Sequence, residues 1–229
     1  MTKSSPPLGM RGFTLIELLV VIATIGILMG IAIPTFNSVY ERAKVTKDLS
    51  NLRQIGSATQ MYMNDNNGAF PGSATATWMS QLELNQKYLS TWRVLQSPFD
   101  KRNTSELGDA TTSVSYGINA NVLPGNAPIS ADKITKPVTF IVFAPAQAAG
   151  PTVSFQGTGI SAIPGVTVLA ATSTPGGVAA GGTHNSRAKI NALCADWHGE
   201  TMLWNSTGPA FTNTAPTGTD PDGAFRWSP

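Results

Sequence analysis

Phe13 to Ile33 reads FTLIELLVVIATIGILMGIAI, 21 residues in which Glu17 is the only charged side chain. About 20 apolar residues match the roughly 30 Å hydrocarbon thickness of a bilayer, so the run is long enough to cross one as a helix. Lys3 and Arg11 precede it, and residues 1–12 contain no acid. The positive-inside bias places those residues in the cytoplasm and everything after Pro34 outside. Glu17 is the anomaly: a charge near a membrane centre costs about 2.5–3.5 kcal/mol, and less towards the edge where this one sits. A plain signal anchor leaves it unexplained. A cleaved secretory signal, with Gly30-Ile31-Ala32 as a weak small-x-small site, would carry an acid inside an overlong apolar region.

Gly12-Phe13-Thr14-Leu15-Ile16-Glu17 resembles the processing site of type IV pilins and type II secretion pseudopilins, and the likeness extends through LLVVIATIGILMGIAIP. The resemblance implies a leader, residues 1–12, cut after Gly12 by a prepilin peptidase, with N-methylation of the new terminal residue, Phe13. It also implies that Glu17 pairs with the terminal amine of a neighbouring subunit and so fixes the axial step of a filament. An acid among apolar helices needs such an opposite charge; pairing with its own Phe13 amine, or snorkelling to the membrane edge, would also meet that need. Gly26 and Gly30 share one helix face, a spacing that allows close helix approach but is also common in membrane helices generally. Pro34 removes a backbone donor, so a kink is expected near it.

Overall charge carries little information about partners. The chain has 15 Lys+Arg against 13 Asp+Glu, a formal +2, and the excess lies entirely in Lys3 and Arg11. A phosphate-binding surface needs clustered cations; none stand out, and nucleic acid is not expected as a partner. A single cysteine, Cys194, excludes an intrachain disulfide and any Cys-based zinc site on this reading. In its apolar stretch it reads as a small buried hydrophobe.

After Pro34 the pattern turns amphipathic. Phe36, Val39/Tyr40, Ala43, Val45, Leu49, Leu52, Ile55, Thr59 and Tyr62 recur at helical spacing. The opposite face carries Asn37, Glu41, Arg42, Lys44, Asp48, Asn51 and Gln54, with Lys44 and Asp48 placed to pair on a solvated surface. Asn64-Asp65-Asn66-Asn67-Gly68 ends the helix. The spacing therefore predicts one helix over residues 13–66, its second half lying on a head domain through the apolar stripe.

Residues 67–229 break into short apolar runs between Pro-Gly and Gly-Gly turns. A short helix is expected over Trp78–Leu89. Strands are expected at Ser113–Ile118, Val138–Phe143, Val166–Ala171, Lys189–Ala195 and Glu200–Trp204, the last two forming a hairpin about Asp196-Trp197-His198-Gly199. The five tryptophans (78, 92, 197, 204 and 227) are expected to pack the core and subunit contacts.

This half also resembles the processing-associated segments of some prepilin-type proteins, which carry a His, nine residues, then Asp-Gly-His. Here His184 precedes Asp196-Trp197-His198, with Trp197 where Gly is usual. Ser115-Tyr116-Gly117-Ile118-Asn119 is similar to a further segment of them, and Ser97-Pro98-Phe99-Asp100 stands where Cys-Pro-Ser-Asp is frequent. Two His and an Asp can hold a metal or exchange protons, but the same residues are ordinary hairpin hydrogen-bonders. Asp220-Pro221-Asp222-Gly223 resembles part of a calcium loop, yet calcium wants six to eight oxygens and these are also turn dipeptides.

The expected architecture is thus α+β: a long N-terminal helix, membrane-spanning over residues 13–33, on an antiparallel head at 67–229. The expected function is a structural filament subunit with no catalytic residue, no metal and no cofactor. Its expected partners are copies of itself, the prepilin peptidase, and an inner-membrane assembly platform with its ATPase. It would begin as a single-pass inner-membrane precursor and end in an extracellular or periplasmic filament. The competing reading is a membrane-anchored extracytoplasmic hydrolase or metal protein using His184, Asp196 and His198.

Overall fold

The structure, a computed structural model, describes residues 13–73, 76–83, 87–102, 114–145, 182–185, 188–204, 211–212 and 229. Among the described residues, helix α1 (Leu15–Asp65) comes first, followed by a short helix α2 (Trp78–Glu83) and five strands. These are β1 (Tyr116–Ile118), β2 (Ile141–Pro145), β3 (Lys189–Cys194), β4 (Gly199–Trp204) and β5 (Phe211–Thr212). The chain divides into two compact units at Arg42/Ala43.

In the first unit α1 runs through Pro34, and the Thr35 hydroxyl donates back to the Ile31 carbonyl at 3.0 Å. This unit's apolar side chains face outward: Leu15 is 81 % exposed and Ile31 69 %. It holds the one helical stretch among the described residues that is long and apolar enough to cross a membrane.

In the second unit the later part of α1 packs on an all-antiparallel sheet of order β1-β2-β3-β4-β5. Leu52, Ile55, Trp78, Leu82, Ile118 and Phe143 are fully buried in one core, where Trp78 tilts against Phe143 with ring centres 5.0 Å apart. Gly56 permits the close helix–sheet approach: a Cβ there would lie 2.7 Å from Leu193 Cδ2. The helix ends as the Asn-rich stop predicts. Asn67 takes a left-handed φ of 55°, and Gly68 N–H donates to the Met63 carbonyl at 2.8 Å, the long bond of a Schellman cap.

The expected α+β class and the β3–β4 hairpin are both observed, with Ile190 opposite Met202 as alternation requires. Several expectations change. Asp48 is not on a solvated face beside Lys44; it is fully buried, and Asn51 is 6 % exposed. The buried stripe is rotated from the purely apolar one, taking in Asp48, Asn51, Ala58 and Met63, while Phe36, Val39 and Tyr40 stay exposed. Distant hydrogen-bond partners make the polar members cheaper to bury than periodicity alone allows. Helix α2 is described over Trp78–Glu83, and residues 87–89, the end of the expected Trp78–Leu89 helix, are not helical. Strand β2 starts at Ile141, not Val138, because Pro137 has no donor and Thr139 and Phe140 N–H both turn back to the Lys136 carbonyl. Ser113 and Val166–Ala171 lie outside the described residues, as do Gly12, Asp220 and Asp222.

Candidate functional site

At the start of α1, Thr14 stands just before the first helical residue and Glu17 at the third helical position. Thr14 N–H and Oγ1 both donate to Glu17 Oε2, at 2.8 and 2.7 Å, and Glu17 N–H reaches back to Thr14 Oγ1 at 3.3 Å. This is a capping box, which satisfies backbone donors that a helix start leaves without intrahelical acceptors. The T-x-x-E pattern that signals it is present in the sequence, but the apolar run draws attention to Glu17 and away from Thr14. Phe13 is 76 % exposed. A Cβ added at Gly26 or Gly30 meets nothing within 4 Å, so both open onto free surface in the single chain.

The residues of the second resemblance form a polar framework inside the second unit. Asp48 is its centre: Oδ1 accepts from Ser97 Oγ at 2.7 Å and from the Tyr116 hydroxyl at 2.6 Å, and Oδ2 from Asn191 Nδ2 at 2.8 Å. Burial pushes the Asp48 carboxyl up and outweighs these three bonds, which pull it down. Burial, with the nearby Asp48 charge, pushes the Tyr116 hydroxyl well up, which keeps it a donor. Asp100 accepts from Ser115 Oγ at 2.6 Å and pairs with Arg102 at 2.7 Å, and Asn119 Nδ2 donates to the Ile141 carbonyl at 2.9 Å. Each polar side chain of Ser115-Tyr116-Gly117-Ile118-Asn119 therefore fixes one neighbouring segment.

The possible catalytic set does not assemble. His184 bridges Lys189 at the start of β3, is 6 % exposed, stacks on Phe99 at 5.5 Å and contacts Thr183 Oγ1 through Nδ1. Asp196 and His198 lie past the other end of β3, in the hairpin turn, where Asp196 Oδ1 meets both the backbone N–H and Nδ1 of His198. At about 3.3 Å per residue a six-residue strand separates the two places. Trp197, which replaces the usual Gly, holds a left-handed φ of 69°. The backbone here wants the residue that the resemblance leads one to expect. Trp78 and Trp92 are buried in the core and Trp197 packs against it.

Comparison with known proteins agrees with the N-terminal geometry. The prokaryotic N-terminal methylation motif matches residues 9–33. The chain is 35 % identical over 86 residues to a fimbrial protein of Neisseria meningitidis, covering 37 % of this chain and 49 % of that one. It is 44 % identical over 55 residues to the type IV major pilin protein PilA of Myxococcus xanthus, covering 24 % of this chain and 25 % of that one. It is 40 % identical over 57 residues to the type II secretion system core protein G of Pectobacterium carotovorum, covering 25 % and 36 %. The chain thus spans half or less of the length of these relatives. No solved structure matches it. What the chain shares with these relatives lies in its N-terminal part, where the methylation motif stands. Type IV pilins and a secretion pseudopilin are the particular relatives.

Proposed function

We propose that the chain is a structural subunit, not an enzyme, of a type IV pilus-like or type II secretion pseudopilus filament. In this reading residues 1–12 are a leader removed by a prepilin peptidase after Gly12, and Phe13 becomes the methylated terminus. The precursor is a single-pass inner-membrane protein with its head outside the cytoplasm. An assembly platform and its ATPase then move it into an extracellular or periplasmic filament of identical copies.

The observation that carries this reading is the methylation motif at residues 9–33, where the large apolar side chains from Phe13 to Ile33 are exposed in the single chain. Lipid covers such a surface first, and copies of the same helix cover it after assembly. Phe13, Glu17, Gly26, Gly30 and Pro34 are the assembly residues: Glu17 exchanges part of its Thr14 cap for a neighbour's terminal amine, and the two glycines let helices approach.

N-terminal sequencing of the mature protein tests the proposal. A start at Phe13 supports it. An intact Met1, or a start near Ile33, overturns it.

A further inference from the structure

The β3–β4 hairpin gathers a sulfur, a nitrogen and an oxygen donor at one end of the sheet. Asn191 and Leu193 face α1, reaching Asp48 and the Gly56 position, so Cys194 lies on the opposite face with Ile190 and Ala192. Glu200 stands opposite Ala192 in the ladder and therefore shares that face. His198 sits in the turn between them, its carbonyl accepting from Cys194 N–H at 3.0 Å. The Cys194 sulfur, an imidazole nitrogen of His198 and a Glu200 carboxylate oxygen lie within 4.8 Å of one another.

The outer contacts are those of a metal-binding histidine. Asp196 Oδ1 holds the Nδ1 edge of the imidazole, the place an outer carboxylate takes on a metal-binding histidine, and Nε2 is the nitrogen on the Glu200 side. Nε2 stands 3.6 Å from Glu200 Oε2, too long for a hydrogen bond. In a four-coordinate zinc site with bonds of about 2.0–2.3 Å, neighbouring ligand atoms are separated by about 3.3–3.8 Å. The nitrogen and oxygen already have that spacing, and the thiol, within 4.8 Å of its neighbours, needs to close by at most about 1.5 Å. His198 and Glu200 are 39 % and 28 % exposed, which gives an ion a way in.

We propose that Cys194 Sγ, His198 Nε2 and the Glu200 carboxylate bind one divalent transition-metal ion of the zinc type, with Asp196 orienting the imidazole from outside. A mixed S/N/O set suits zinc and disfavours calcium or magnesium, which take oxygen ligands. On binding, the Cys194 thiol releases its proton to solvent and the thiolate bonds to the metal. Thiolate and carboxylate then neutralise the ion's two charges, and water takes the fourth position. The sequence reading excludes a Cys-based zinc site because it counts cysteines alone; the fold brings a histidine and a glutamate to the same place, so Cys194 is here one donor of three. The ion would lock the β3–β4 turn, the same turn that holds Trp197 in its left-handed conformation.

The test uses tag-free full-length protein in detergent, stripped with chelator and titrated with Co²⁺. The expected result is one bound equivalent with a thiolate-to-cobalt charge-transfer band and tetrahedral visible absorption, both displaced by Zn²⁺. Cys194→Ser should lose the charge-transfer band. His198→Gln should abolish saturable binding, and Asp196→Asn should weaken it by about 10–100-fold with the band shape retained. Circular dichroism melting of each metal-free variant checks the fold, and His198→Gln, at a partly exposed position, keeps the test valid should Cys194→Ser fail to fold. No charge-transfer band in the wild type, a band that survives Cys194→Ser, or undiminished binding by His198→Gln overturns the proposal.

Discussion

The Tyr116 hydroxyl donates to Oδ1 of Asp48 across 2.6 Å, and that bond ties the first strand of the sheet to the inner face of α1. Ser97 and Asn191 complete the ring of donors, so one carboxylate organises segments 49, 68 and 143 residues away in sequence. A buried acid so placed fixes which way the helix faces the sheet.

Asp48→Ala should destabilise the protein by about 3 kcal/mol or more, since three buried donors lose their acceptor at about 1–3 kcal/mol each. The pH dependence has a definite sign. The folded carboxyl is raised above its ordinary value, so the folded state binds the proton more tightly than the unfolded chain. The stability linked to that proton is fully present below the ordinary carboxylate range and is lost as pH rises through the raised folded value. The stability of wild type minus that of Asp48→Asn should therefore grow as pH falls from neutral toward 4. Urea unfolding at a series of pH values measures it, and a difference that shrinks would mean the three donors outweigh burial.

In the proposed filament, Glu17→Ala should leave leader removal intact and prevent filament formation, since on that reading it removes the partner of a neighbour's amine and leaves the peptidase site unchanged. Gly26→Leu should give a chain that folds as before, since nothing lies within 4 Å of the added Cβ, yet impair filaments if helices meet on that face. Electron microscopy of sheared filaments, alongside N-terminal sequencing of the membrane fraction, separates processing from assembly. Abundant filaments from Glu17→Ala would remove the charge-pairing role.

Trp197 carries a left-handed φ of 69°, a conformation that costs a residue with a Cβ about 1–2 kcal/mol. Its indole also packs against the core, so removing the ring loses contacts in any variant. Trp197→Gly should consequently be about 1 kcal/mol more stable than Trp197→Ala, the reverse of the order at an ordinary position. Denaturant midpoints of the two variants decide this.

Gly182 meets the start of β3 backbone to backbone: an added Cβ would stand 2.2 Å from the Lys189 carbonyl oxygen. Backbone cannot yield as a side-chain end does, so Gly182→Ala should break the Thr183–Lys189 and His184–Lys189 bonds and cost about 1–3 kcal/mol. Faster amide exchange at Thr183 and Lys189 would localise the damage there.

The parts legible in the sequence were those set by neighbours along the chain. The apolar run, the Asn-rich helix stop and the β3–β4 hairpin each depend on residues a few positions apart. Asp48 was misread because periodicity records how polar a residue is but not who waits for it: Ser97, Tyr116 and Asn191 come from three separate segments. The delayed start of β2 turns on Pro137, whose missing donor outweighs the strand preference of Val138 and Thr139. At the N-terminus, the Thr14–Glu17 box is local and readable, but an acid inside an apolar run draws attention to Glu17 and away from Thr14. The Cys194, His198 and Glu200 cluster needed the ladder register, because only the pairing of Ala192 with Glu200 shows which face the acid takes.

Every strand in the sheet is hydrogen-bonded to the next one along the chain. A ladder in this order is indifferent to how much polypeptide runs between successive partners, because no other strand must slip in between them. Residues 146–188 separate β2 from β3 without altering their adjacency, and doubling such a connection adds only about 0.6 kcal/mol of closure entropy. The connections between strands can therefore lengthen, shorten or change composition while the sheet keeps its order.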